Sequence, residues 1–162
     1  MSRITLQVFV AVTAAALVVA PASAQRRGRA SAAAVERPSY GAHLGYNFDA
    51  SDLLLGAQLT YPITPRLALY PTFDYYFVSG GSLWALNFDL KYRPPTRYGA
   101  WYVGGGLNWS HASAGGTSAS DTNLNLLTGL EGRRGRTRPY VEGKFILGNG
   151  SSFQIVGGVS WR

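Results

Sequence analysis

The chain contains no cysteine. A disulfide framework and a thiolate metal site are therefore excluded, and so is a lipoprotein anchor, which needs a cysteine at its cleavage point. Histidine is almost as scarce, with two in 162 residues; His43 has no second histidine at a neighbouring position, so we expect no metal and no cofactor. Charged residues make up only 14 % of the chain, and they are unequal: fifteen bases against eight acids, a net charge of +7. A basic balance alone fits a nucleic acid or a membrane surface, and the placement of the charges has to decide between them. Apolar runs of the roughly 20 residues that a transmembrane helix needs are also missing.

The one long apolar stretch lies at the start. Arg3 is followed by Val8–Ala20, interrupted only by Thr13, and then by Pro21-Ala22-Ser23-Ala24. A positive start, a short apolar core and small residues before a cut make a secretory signal peptide over residues 1–24, cleaved after Ala24. Residues 25–38, QRRGRASAAAVERP, are basic, alanine-rich and without strand periodicity; we expect a flexible basic periplasmic tail.

What the chain has in plenty is glycine (20 residues) and aromatics (13 %, ten of them tyrosine), a composition suited to strands and tight turns. From Ser39 onward, eight segments alternate apolar and polar residues with a period of two, separated by short turn signals. The fourth reads Trp84, Leu86, Phe88, Leu90, Tyr92 on one parity and Ala85, Asn87, Asp89, Lys91 on the other. In every segment one parity is apolar and free of charge. Alternation alone does not say which face is inside. Three features do. The polar parity is rich in glycine, leaving room for Tyr70, Tyr76, Tyr102 and Tyr140 in a narrow lumen. Aromatics of the apolar parity gather at the segment ends, Tyr40, Tyr61, Tyr92 and Trp161 towards one edge and Phe48, Phe77, Trp84, Trp109 and Phe153 towards the other, as interfacial girdles do. The turns alternate in character. A sheet immersed in hydrocarbon must also close, because open edges would leave backbone groups unpaired. The expected fold over residues 39–162 is all-β: an eight-stranded antiparallel up-and-down transmembrane β-barrel with short loops.

This pattern resembles the small outer-membrane barrels of the OmpX/OmpA-transmembrane-domain type, over Ser39 to Arg162. Its most specific element is the last segment, Phe153 to Trp161, alternating and closing on a late aromatic. In that group such a strand is the signal read by the outer-membrane assembly machinery; here Arg162 follows the aromatic that usually ends the chain. The resemblance implies a Gram-negative outer membrane, contact with its lipids, and a structural or interaction role without a reaction. The long outer loops of adhesins in the group are missing.

Two constellations stand against a purely structural reading. His111-Ala112-Ser113 resembles the His-x-Ser pair that outer-membrane lipid A deacylases carry on a lipid-facing strand. A serine hydrolase also needs an acid to orient its histidine, and Asp121 is the nearest candidate. The rest of that motif is absent, with Ala114-Gly115-Gly116-Thr117 following, and the plain reading of His111–Ser120 is a small polar loop. On the lumenal parity stand Asp74, Asp89, Lys91, Glu131, Glu142 and Lys144. Acids and bases in one narrow space form an ionic plug, with a narrow pore as the alternative. Gly104-Gly105-Gly106 lacks the lysine and helix start of a phosphate loop and is read as strand packing.

The arginines are not scattered. Beyond the signal they occupy the tail (Arg26, Arg27, Arg29, Arg37), Arg162, and three alternate turns holding Arg66, then Arg93 and Arg97, then Arg133, Arg134, Arg136 and Arg138. The opposite loops carry no lysine or arginine but three aspartates, Asp49, Asp52 and Asp121. With an exported start and an even strand number, the basic turns form a periplasmic ring. Such a ring suits inner-leaflet phosphates or an acidic periplasmic or membrane-complex partner, and no nucleic acid.

Overall fold

The computed structural model describes residues 37–95, 101–132, 135–148 and 150–162. The signal-peptide expectation, nearly all of the tail, and Arg97, Arg133 and Arg134 lie outside the described residues.

Alternation becomes eight strands: β1 (Ser39–Asn47), β2 (Asp52–Pro62), β3 (Leu67–Tyr76), β4 (Gly81–Tyr92), β5 (Trp101–Ala114), β6 (Thr117–Glu131), β7 (Thr137–Leu147) and β8 (Ser152–Trp161). They form one closed barrel in sequence order, every neighbouring pair antiparallel. Closure is made by β1 against β8, from Tyr40 opposite Trp161 to Asn47 opposite Gln154. The chain therefore enters β1 and leaves β8 at the same end of the barrel, the terminal end.

Register follows from parity. A slip by one residue would send a whole side-chain set to the wrong face, and the observed pairs always match like with like: Asp89 opposite Gly106 and Lys91 opposite Gly104 inside, Phe88 opposite Leu107 outside. The faces are inverted relative to a water-soluble barrel. Asp74, Asp89, Glu142 and Lys144 are buried, while Leu44, Phe88, Leu126 and Phe145 point outward and are exposed. A band of exposed aliphatic and aromatic side chains all round a closed sheet is stable only against lipid.

At the non-terminal end, the expected short loops hold between β1 and β2 and between β3 and β4; Asn149, in the expected loop between β7 and β8, lies outside the described residues. In the first, Asn47 Oδ1 accepts from the backbone N–H of Asp49 and Ala50 at 3.0 and 3.1 Å. The fourth expectation is corrected. Residues 111–120 are not a loop: β5 and β6 run on to Ala114 and Thr117 and join through Gly115-Gly116 alone. Both glycines have positive φ, 57° and 81°, the conformation a two-residue hairpin turn of right-handed twist demands. The hairpin reaches past the β6–β7 ladder, whose last pair is Leu124 with Leu147.

Candidate functional site: the lumen and the two rims

Inward-pointing side chains fill the barrel in three tiers. At mid-height, β1, β3, β4, β6 and β7 contribute to one network. His43 Nε2 donates to Asp74 Oδ1 at 2.7 Å, since a carboxylate only accepts. Asp74 Oδ2 accepts from Asn87 Nδ2 at 2.9 Å. Lys144 Nζ sits between two acids, 3.9 Å from Asp74 Oδ2 and 3.8 Å from Asp89 Oδ2, with Thr72 Oγ1 at 3.5 Å. Asn125 Nδ2 donates to Asp89 Oδ1 at 3.1 Å and to Asn87 Oδ1 at 2.8 Å. Each charge here is removed from water, and the surrounding amides take the directions that the ion pairs leave open, as buried charge requires.

The tier towards the terminal end is built on tyrosines. Lys91 Nζ lies over the rings of Tyr70 and Tyr102, 3.5 and 4.0 Å from their centroids, with Tyr140 at 5.9 Å. An ammonium over an aromatic face is attracted by the ring quadrupole, more strongly when desolvated. Tyr102 donates to Glu142 Oε2 at 2.8 Å, and the Tyr70 hydroxyl donates to Gln58 Oε1. Glycine makes the space: a Cβ at Gly129 would fall on the Tyr102 hydroxyl, and one at Gly106 would meet Asp89 Oδ1 at 2.7 Å. Gly104-Gly105-Gly106 accordingly lies inside β5, where it packs.

The third tier is neutral. Tyr76 donates to Gln154 Oε1 at 2.9 Å and Asn108 Nδ2 to Asn87 Oδ1 at 2.8 Å. Beyond them a cavity of about 130 Å³ opens at the non-terminal end, lined by Asn47, Asn108, Ser110, Asn123 and Ser152 among others.

Of the six side chains expected in the plug, the structure joins Asp74, Asp89 and Lys144 directly. It places Lys91 and Glu142 in the tyrosine tier. Glu131 stands at the terminal mouth, where Arg93 Nη2 donates to its Oε2 at 2.7 Å and Ser160 to its Oε1 at 3.2 Å. Arg93, expected in the rim ring, is thus committed to the lumen mouth. Arg66 and Arg136 are exposed at the terminal rim, and Arg138 and Arg162 are half-buried there. The His43–Asp74 pair was not foreseen. The two residues are 31 apart and on strands that are not neighbours, so no local pattern announces them.

The girdle aromatics fall at both edges. Tyr40 and Trp161 pair at the terminal end, 6.0 Å between centroids. At the other, Trp84 packs edge-on against Trp109 at 5.1 Å and Phe48 stacks on Phe153 at 5.7 Å. Tyr61, Phe77 and Tyr92 are outward and exposed. Trp101 belongs with this group and was missed as a girdle residue. Its indole N–H runs along the outer face of the sheet, donating to Thr128 Oγ1 at 2.9 Å.

The catalytic alternative does not assemble. His111 Nδ1 is 2.8 Å from Ser120 Oγ, its cross-strand partner, and Ser113 stands opposite Ser118. Asp121 is opposite Ser110, so its parity sends it to the other face of the hairpin from His111 and Ser113. The candidate acid, base and nucleophile lie on two sides of one sheet, where the acid cannot orient the imidazole. Among the described residues, no three histidine, aspartate or glutamate side chains gather as a metal site.

No protein-family profile and no curated protein matches the sequence. Solved structures do match. The N-terminal β-barrel domain of Pseudomonas aeruginosa OprF superposes with a TM-score of 0.67 over 79 % of this chain and 98 % of that one, at 16 % identity. Neisserial surface protein A gives 0.57 over 76 % and 94 %, also at 16 % identity. The fold is that of the small outer-membrane barrels. A de novo designed transmembrane β-barrel matches nearly as well, with a TM-score of 0.55 at 14 % identity. A likeness shared with a designed chain is one of fold, and a fold alone does not name a function.

Proposed function

We propose that this chain is a non-enzymatic barrel of the bacterial outer membrane, with a structural or interaction role in the envelope and a lumen closed to ions. One observation carries the reading: the mid-height network links side chains from five strands across the lumen, and its buried charges face one another at hydrogen-bonding or ion-pair distance. Eight strands enclose a space just wide enough for side chains. Among the described residues the arginines all lie at the terminal end, which supports an orientation with that end at the periplasm, where Arg66 and Arg136 meet anionic headgroups or an acidic partner. β8, with its alternating outward Phe153, Ile155, Val159 and Trp161, is the segment offered to the assembly machinery.

Planar-bilayer recording of the purified barrel tests the closed lumen. The expected record has no reproducible single-channel steps. Steps that disappear in Lys91→Met or Lys144→Met would establish a conduit instead, and the same experiment with the heat-dependent gel mobility of folded barrels checks that the protein had inserted.

A further inference from the structure

On the outward face, the band of large side chains dips between β6 and β7. Thr128 lies opposite Gly143 in the register, with Ile155 on the next strand. A hollow of about 380 Å³ opens over them, walled by Trp101, Leu130 and Val141 on the terminal side and by Phe153 on the other. A second hollow of about 370 Å³ shares Leu130 and Val141 and continues past Gly132 and Pro139 to the terminal rim. The walls are firm. The Trp101 indole is fixed by its bond to Thr128, and Phe153 packs between Phe48 and Phe145, with centroids at 5.7 and 4.5 Å. At the same rim, three residues before Pro139 in the chain, Arg136 is exposed, and its carbonyl accepts from the Arg162 N–H at 3.2 Å, which brings the start of β7 and the C-terminus together.

We propose that this groove binds one anionic phospholipid of the leaflet at the terminal end, an acyl chain lying in the hollow between Trp101 and Phe153 and the phosphate at the Arg136 rim. Charge decides the occupant. A second copy of the barrel docking through this face would set two basic rims side by side, whereas a phosphate neutralises one. An interfacial tryptophan normally turns its N–H towards headgroups. That of Trp101 is spent on Thr128 of the neighbouring strand, so the ring serves as an apolar wall. The inference rests on the membrane-embedded reading above and deepens it.

A chain carrying Trp84→Phe, Trp109→Phe and Trp161→Phe keeps Trp101 as sole indole. It is reconstituted in phosphatidylcholine–phosphatidylglycerol vesicles of one composition, with brominated chains on either lipid in turn. Brominated phosphatidylglycerol should quench Trp101 in preference to brominated phosphatidylcholine. Arg136→Ser should reduce that preference roughly fivefold, the weight of one basic residue at an anionic surface, and Gly143→Leu, which fills the hollow, should abolish it. Equal quenching by both lipids, or a preference untouched by either substitution, overturns the proposal. So does efficient disulfide formation between copies carrying Leu130→Cys, which would make the face a protein interface. Should Gly143→Leu not insert, Arg136→Ser at the exposed rim is decisive by itself. Failure of the embedded reading looks different: no heat-dependent mobility and no quenching by either lipid.

Discussion

The two faces of β4 are made by neighbouring residues in the same strand and obey opposite rules. Asp89 is 0 % exposed and Phe88 is 55 % exposed. In a water-soluble protein the assignment would be reversed, since burying charge costs free energy and burying a phenyl ring gains it. Here the medium outside is apolar, so the outward face needs only to be apolar, and the inward face carries all the geometric specificity. The outer face tolerates any large apolar residue and is defined by composition. The inner face is defined by partners: Lys144 needs both Asp74 and Asp89, and Asn87 needs Thr72, Asp74, Asn108 and Asn125.

The comparison is broken hardest from inside. Lys144→Met removes the cation between Asp74 and Asp89 and leaves two carboxylates facing each other without water. Breaking a buried pair in this way costs about 3–5 kcal/mol, read as a shift in reversible urea unfolding in lipid vesicles. Adding Asp89→Asn to the same chain should restore part of the loss, because it withdraws one of the stranded charges. Equal instability of the single and double variants would mean that Lys144 contributes packing and not charge balance.

From outside, the corresponding experiment is Phe88→Arg. Phe88 lies midway between the girdle positions Trp84 and Tyr92 on β4, at the depth where an arginine on the lipid face of a barrel costs about 2–4 kcal/mol. The same substitution at Tyr61, on the rim, should cost about 0–1 kcal/mol. A depth-independent penalty in vesicle unfolding would mean that the outward band does not meet hydrocarbon.

This contrast also explains what could be read from the sequence. Where one face meets lipid and the other a polar lumen, neighbouring residues differ sharply in polarity, and strand number and parity follow from alternation. Leu53, Leu55, Ala57 and Leu59 stand on one parity against Gly56, Gln58 and Thr60 on the other. The reading failed where that contrast vanishes. In His111-Ala112-Ser113-Ala114 and Thr117–Thr122 both faces meet water, the residues are small or polar on both parities, and a β-hairpin looks like a loop. The lumenal partners were half legible. Parity announced which charges share the interior, but pairing across the barrel, as in His43 with Asp74 or Arg93 with Glu131, depends on shear and side-chain length and leaves no trace in local spacing.

The smallest expected effect belongs to the hairpin, where neither rule operates. Ser113, half-buried, stands opposite the exposed Ser118 on the projecting hairpin, with water as an equivalent partner, so Ser113→Ala should shift stability by no more than about 0.5 kcal/mol. It should also leave the acyl composition of lipid A and phospholipids unchanged in cells overexpressing the protein, compared by mass spectrometry with cells carrying the unaltered chain. His111 is already engaged by Ser120, so an imidazole able to deprotonate Ser113 would first have to give up that contact, and Asp121 on the opposite face offers nothing to hold it in the new position. An acyl change that depended on Ser113 would require the hairpin to rearrange on meeting lipid. His111→Ala and Ser113→Ala would then abolish it equally while Asp121→Asn left it intact, and the hairpin, rather than the lumen or the groove, would be where this barrel acts.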